Sequence, residues 1–290
     1  KIEVFESTDS DKKISNSSSN PKIFKDNKIE KQIQIKDEVL ESSKDKKIFG
    51  IYDPAENNFD LNMWSKTEAE NVRSSITRIN KIKLSNTSKI LFEKTLFTFA
   101  YPPNGMDDDE FIDLKINWMI KNKRSNLIEK FLKQNSAFHN KKRVVQYLVD
   151  ENIAKAKINE GCEKISFIDK NIKDSYLEKF RIYCLIFNGK KNEAQLLHDI
   201  LVEQKKSDKF FDDKINFLLG VTKKTSKKIS EKNLLNFYLS SITAKNFNFK
   251  PNKNTKEEIW KYLNASNLIK LEDATDKERS LQKATNIVNH

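Results

Sequence analysis

Glycine and proline are scarce, five of each in 290 residues. Sandwiches, barrels and nucleotide-binding α/β folds need these residues at many turns, so the shortage argues against them and favours helices joined by short polar loops. The glycines are also scattered. A phosphate cradle needs clustered glycines, and neither Gly-x-Gly-x-x-Gly nor a P-loop occurs. Histidine is equally sparse. His139, His198 and His290 stand apart, with no His-Glu-x-x-His and no Cys-x-x-Cys, so a zinc site lacks ligands at usable spacing. No apolar run approaches the ~18 residues of a membrane-spanning helix. No cofactor is therefore expected.

What is abundant is charge and aromatic carbon. Hydrophobic residues make up 37% of the chain and include 19 Phe, enough for a substantial core. The formal charge is +12. Its lysines are interleaved with acids and accompanied by much Asn and Ile, a usage expected of an AT-rich genome, and Arg, whose planar fork recognises phosphate and bases best, is rare. Solvated faces account for such a pattern more simply than a nucleic-acid site.

Residues 1–48 read as a low-complexity, disordered tail. They alternate Lys, Asp, Glu, Ser and Asn and offer too little apolar surface to offset their ordering entropy. Within them, Ile29, Ile33, Ile35, Val39 and Leu40 suit docking on a partner. Residues 49–106 read as an N-terminal helical cap. Ser65 to Glu68 has the composition of a helix start, Ser85 to Ser88 opens a second helix with Ile90, Leu91, Leu96, Phe97 and Phe99 as its apolar face, and Pro102-Pro103-Asn104-Gly105 ends it. Residues 107–220 read as helix pairs, with turns centred on Asn122, Asn159 and Asn188. Their spacings of 37 and 29 bracket the roughly 34-residue period of tetratricopeptide (TPR) units, although the TPR consensus residues are missing. Residues 221–290 hold further helices, still helical in pattern from Leu281 to Val288, as in a chain that continues in a longer protein.

Chemistry finds few footholds. Asp107-Asp108-Asp109-Glu110 fits a helix N-terminus better than a calcium loop. His198 and its neighbour Asp199 do not face each other on a helix. Cys162 and Cys184 lack the flanking residues of a known nucleophile turn. They are either a disulfide between neighbouring helix pairs or two reduced core thiols. The basic loop Lys223, Lys224, Lys227 and Lys228 could bind nucleic acid or anionic lipid. A cell-wall hydrolase would need a lone carboxylate with a raised pKa, such as Glu110 or Glu178.

Asp53-Pro54, Met63-Trp64-Ser65-Lys66-Thr67, Pro102-Pro103-Asn104-Gly105 and the helix from Leu114 to Ile120 together resemble an uncharacterised alphaproteobacterial family of exported helical-repeat, TPR-like proteins. The likeness spans Asp53 to Gly189, with Lys66 where that family carries Gly. It implies a periplasmic location, cysteines at positions like Cys162 and Cys184, helix pairs beyond His290, and no activity.

The expected fold is all-α, an antiparallel helix-pair (TPR-like) repeat forming an α-solenoid or compact α-α superhelix. The expected function is a non-enzymatic protein-interaction scaffold in the bacterial cell envelope, periplasmic rather than cytoplasmic. Another protein would bind a concave groove lined by Trp118, Tyr147 and Tyr183.

Overall fold

The computed structural model describes residues 47–168 and 173–269. They belong to one compact unit, residues 45–290. Residues 1–46 of the expected 1–48 tail, with its Ile29 to Leu40 segment, and the C-terminal pattern at Leu281 to Val288 lie outside the described residues, while the Lys47 N–H donates to Asp108 Oδ2 at 3.0 Å.

The described chain is all-α. It contains α1 (Ala69–Ile79), α2 (Asn86–Phe97), α3 (Asp108–Lys121), α4 (Ser125–Gln134), α5 (Lys141–Ala154), α6 (Ile158–Glu163), α7 (Ser175–Phe187), α8 (Lys191–Glu203), α9 (Lys209–Leu219), α10 (Leu234–Thr243) and α11 (Glu257–Ala265). No strand occurs among the described residues, only isolated bridges such as Tyr52 to Thr98. Short polar side chains start five of the helices. Ser85, Asp107, Asp174, Asp208 and Asn233 each accept a backbone N–H from the first turn of α2, α3, α7, α9 and α10.

Helix ends are more uniform still. The middle residues of the turns after α3, α5 and α7 are left-handed: Lys123 (φ 53°), Ala156 (φ 55°) and Gly189 (φ 76°). One residue on, the N–H of Arg124, Lys157 and Lys190 reaches back to the carbonyl of Met119, Asn152 and Leu185 at 2.9, 2.9 and 2.8 Å. This closure satisfies carbonyls that a helix end otherwise leaves orphaned. Arg124, Lys157 and Lys190 share nearly the same dihedrals, φ −89°, −97° and −88° with ψ 58°, 63° and 55°, and the next helix starts at once, at Ser125, Ile158 and Lys191. The left-handed positions Lys123, Ala156 and Gly189 are therefore equally spaced, and so are the starts of α4, α6 and α8.

This corrects the turn expected at Asn159. Asn159 lies inside α6, and the turn is Lys155-Ala156-Lys157, so the uneven spacings expected between turns become equal ones. The expected face of α2 is also corrected. Leu96 and Phe97 are buried, whereas Ile90 and Leu91 are 57% and 62% exposed and Phe99 lies beyond the helix. At α1 the N-cap is Glu68, which makes no side-chain cap bond.

Consecutive helices pack as neighbours from α3 to α9, and α5 lies at the centre, touching α3, α4, α6 and α7 but also α10 and α11. Its Val144, Val145, Leu148, Val149 and Ile153 are all fully buried. A one-dimensional stack has no such long-range contact, so the chain folds back on itself. A bond between Cys162 of α6 and Cys184 of α7 staples the second pair to the third, with a Cα–Cα distance of 5.5 Å. Closing a loop of 22 residues of sequence separation contributes on the order of 3 kcal/mol in the chain-entropy account.

The chain enters this body as a strap. Lys115 Nζ donates to the Phe49 carbonyl at 2.7 Å, Asn135 Nδ2 donates to the Gly50 carbonyl at 2.8 Å, and the Ile51 N–H donates to the Phe97 carbonyl at 2.6 Å. Gly50 is obligatory here, since a Cβ would stand 2.6 Å from the Phe99 nitrogen. Lys115 is completely enclosed, over the Phe111 ring, and burial pushes its ammonium down to about 7.

The three turns make a paired prediction. Ala156→Gly relieves a left-handed non-glycine and raises stability by about 1 kcal/mol, and Gly189→Ala lowers it by a similar amount, since space is open around Gly189 and only its φ is strained. Urea midpoints of the two variants should move in opposite directions.

Candidate functional site

Helices α3, α5 and α7 are the first members of the three pairs, and the sequence predicts a concave face along them. The structure places the three expected groove residues otherwise. Trp118 is buried between α2 and α3, with ring centroids 5.3 Å from Phe92 and 5.7 Å from Phe97. Tyr183 is buried, its hydroxyl 2.5 Å from that of Tyr238 on α10. Tyr147 is half-buried on α5, and burial with the nearby Glu151 carboxylate raises its pKa. Trp118 is thus covered by α2 and Tyr183 by α10, and α10 and α11 both pack on α5, the helix that bears Tyr147.

Polar contacts fasten that packing. The Tyr176 hydroxyl, at the start of α7, donates to the Asp150 carboxylate of α5. The Tyr183 and Tyr238 rings meet edge to face at 5.2 Å, Tyr238 and Tyr262 at 5.7 Å, and the Tyr262 hydroxyl bonds Ser241 at 2.6 Å. On the rim, Lys123 Nζ of the first turn sits 2.9 Å from Glu257 Oε1 of α11. Burial pushes the Asp150 carboxyl up to about 6, against the pull of the Tyr176 and Gln146 hydrogen bonds. Burial is also the main cause raising Tyr176, Tyr183, Tyr238 and Tyr262, so these phenols stay protonated and able to donate.

Asp150, Tyr176, Tyr238, Tyr262 and Glu257 do not stand out in the sequence. A signal is there: Tyr176 and Tyr183 are separated by two turns on one helix face. What cannot be read is the returning helix they meet.

The other sequence candidates fall outside this face. The loop bearing Lys223, Lys224, Lys227 and Lys228 exposes all four lysines, and none has an ion-pair partner among the described residues. Its backbone is pinned to α9. Thr225 Oγ1 and the Ser226 N–H both donate to Asp213 Oδ2, at 2.6 and 3.0 Å, and Lys214 Nζ donates to the Ser226 carbonyl at 2.5 Å. His139 is exposed. His198 is buried, with Nε2 2.8 Å from Asp212 Oδ1 and Nδ1 without a partner. Ser207 also donates to Asp212 rather than to His198, so its hydroxyl is not aimed at a base.

For a hydrolase, Glu110 is a poor acid. Arg73 holds it in a two-pronged ion pair, 2.6 and 2.8 Å, which keeps its carboxyl below the usual range. Glu178 is half-buried on α7. A groove below Trp64, between α1 and α2, encloses about 110 Å³ and carries neither carboxylate nor imidazole. That is well short of the roughly 300–1,000 Å³ of a small-molecule site. Among the described residues no group of three potential metal ligands gathers, and no helix is long and apolar enough to cross a membrane.

Two of the four motif segments behind the family resemblance, Met63 to Thr67 and Pro102 to Gly105, meet each other. The Asn104 N–H donates to the Thr67 carbonyl at 3.0 Å, the Ala69 N–H to the Asn104 carbonyl at 2.8 Å, and Asn104 Nδ2 to Glu68 at 2.8 Å, joining the start of α1 to the turn at Asn104. Comparison with known proteins gives no match among family models, curated proteins or solved structures.

Asp150 supplies a pH test. Its folded pKa lies above the ordinary carboxylate value, so the native state binds the extra proton between about pH 4 and 6 and stability falls as pH rises through that window. Asp150→Asn, which keeps an acceptor for Tyr176, should match the wild type near pH 4 and exceed it by on the order of 2 kcal/mol at pH 8. Urea titrations at the two pH values would show the gap opening, and equal stability at both would contradict it.

Proposed function

We propose that the chain is a non-enzymatic protein-interaction scaffold of the bacterial cell envelope, built on TPR-like helix pairs. The observation that carries this is the helix, left-handed turn, helix unit that recurs at equal intervals at Lys123, Ala156 and Gly189. The interval is close to the roughly 34-residue period of tetratricopeptide units. Stacked helix pairs of this length offer extended surfaces for proteins, and the site chemistry here is hydroxyl, aromatic and ionic, the composition of an interface. The bonded Cys162 and Cys184 favour the periplasm over the cytoplasm, because a structural disulfide persists in an oxidising compartment. The Met63 to Thr67 and Pro102 to Gly105 motifs support kinship with exported helical-repeat proteins.

Two measurements on producing cells test this reading. Acid-quenched cells, unfolded and treated with a thiol-reactive polymer, should show no mass shift until a reductant is added; a shift before reduction would remove the periplasmic assignment. Photo-cross-linkers at the exposed positions of Leu196 and Ile200 should trap a discrete envelope protein, and adducts spread without preference would count against a scaffold.

A second reading has its own observation, the four exposed lysines on a backbone pinned by Asp213 and Lys214. As a basic surface for nucleic acid or anionic lipid, the loop predicts binding to duplex DNA or phosphatidylserine vesicles that collapses between about 50 and 200 mM salt. Replacing Lys223, Lys224, Lys227 and Lys228 by Gln should abolish it, and binding that persists in that variant would acquit the loop.

A further inference from the structure

Lysines are interleaved with acids along most of this chain, but not after α9. Residues 221–233 carry five lysines and residues 244–256 four, with no arginine and a single acid, Glu231, while α10 between them carries no charge. Most of the formal charge of +12 therefore sits on this one segment. All nine lysines are exposed. The acids of the adjoining α9 are engaged elsewhere. Asp208 pairs with Lys179, Asp212 accepts from Ser207 and faces His198, and Asp213 accepts from the Thr225 hydroxyl and the Ser226 N–H.

Both connections are held against the helices they join. The first is fastened to α9 through Asp213 and Lys214, and to α10 where the Ser230 N–H donates to Ser240 Oγ at 3.2 Å. The second packs Phe247 and Phe249 edge to face on Phe237 of α10, at 5.7 and 4.9 Å. Its last residue meets the first connection, for Lys256 Nζ donates to the Lys232 carbonyl at 3.2 Å. The lysines thus stand on two pinned backbones that touch. Two exposed apolar side chains accompany them, Val221 (64% exposed) just before Lys223 and Ile242 (40% exposed) at the end of α10.

We infer that the 221–233 and 244–256 connections form one basic surface that lies on an anionic membrane, with the lysines at the phosphate headgroups and Val221 and Ile242 dipping beneath them. The composition separates a lipid surface from nucleic acid. A nucleic-acid site calls for arginine forks on phosphates and bases, or for aromatic rings free to stack. Here arginine is absent, and Phe247 and Phe249 are turned onto Phe237. A bilayer asks only for a density of positive charge with some exposed apolar carbon. Lysine suits it, since its long stem lies along apolar surface while its head stays in water. Attachment of this kind lies on the bilayer and needs no spanning helix.

This rests on the basic-surface reading, deepening it from one loop to two connections and from polyanions in general to lipid. The full chain is sedimented with vesicles of phosphatidylglycerol and phosphatidylcholine in equal parts, and with vesicles of phosphatidylcholine alone. It should bind only the anionic vesicles, and duplex DNA at equal phosphate concentration should not displace it. Lys245→Gln with Lys253→Gln, on the second connection, should weaken binding by about tenfold or more, and Lys245→Arg with Lys253→Arg should preserve it. Val221→Gln with Ile242→Gln should weaken it several-fold. All four positions are exposed, so urea midpoints should stay at the wild-type value. Wild-type affinity in the Lys245 and Lys253 Gln variant, beside loss when Lys223, Lys224, Lys227 and Lys228 are replaced, would confine binding to the first loop. The basic-surface reading would then stand and this inference fall. Equal binding to both kinds of vesicle, displacement by the duplex, or unchanged affinity in the apolar variant would each overturn the membrane assignment.

Discussion

A single left-handed residue at the end of α3, α5 and α7 sets the direction of the helix that comes next. With Lys123, Ala156 and Gly189 in the same conformation, and with the next residue reaching back to the carbonyl five positions before it, each turn returns the chain along the helix it has just completed. The apolar face of each helix is then offered to its successor, and the next pair must cover what remains. The equal spacing of the turns joins this fixed closure to first helices of nearly constant length, 14 residues in α3 and α5 and 13 in α7. The same left-handed closure ends α8, α9 and α11 at Lys205, Gly220 and Asn267. Only the first three turns lead at once into another helix.

Helix content is readable because the polar loops and the N-cap residues are written locally: Ser85, Asp107 and Asp174 sit where their side chains are needed. The repeat is readable only in outline. A left-handed turn announces itself through Gly or Asn, and Gly189 does so, but Lys123 and Ala156 adopt the same φ without the matching residue. The Asn159-Glu160-Gly161 triplet has the composition of a turn yet is helical, and it masks the true turn at Ala156. Burial at the inner face is harder again. Tyr183 and Trp118 carry the composition of a binding surface, and whether an aromatic is exposed there depends on a distant partner such as Tyr238, or on packing from a preceding helix. Periodicity is blind to such pairings, because they are set by where the 221–233 connection delivers the chain.

The stack and the inner face are stabilised by different physics. Between consecutive pairs the groups are mainly Val, Leu, Ile and Phe, most of them fully buried, with polar links such as Tyr176 to Asp150, and the disulfide adds a constraint on the unfolded chain. Such contacts respond little to pH or salt. Around α5, α7, α10 and α11 the groups include a carboxyl and four phenols pushed up by burial, with an exposed ion pair beside them. Each hydrogen bond there adds little net stability, yet leaving one partner unmet costs more than the bond contributes.

That asymmetry bears on specificity. Without a hydroxyl from α10 to meet that of Tyr183, a buried polar group would be stranded, so the pairing with Tyr238 constrains how α10 packs. Apolar area alone therefore does not fix the placement of α10; the paired tyrosines add to it. Asp150 imposes a like constraint between α5 and α7, since its carboxylate, charged above about pH 6, depends on the Tyr176 hydroxyl for relief. The placement of α10 is thus specified through these penalties, while the strength of its packing comes from buried leucine and phenylalanine such as Leu235, Phe237 and Leu239.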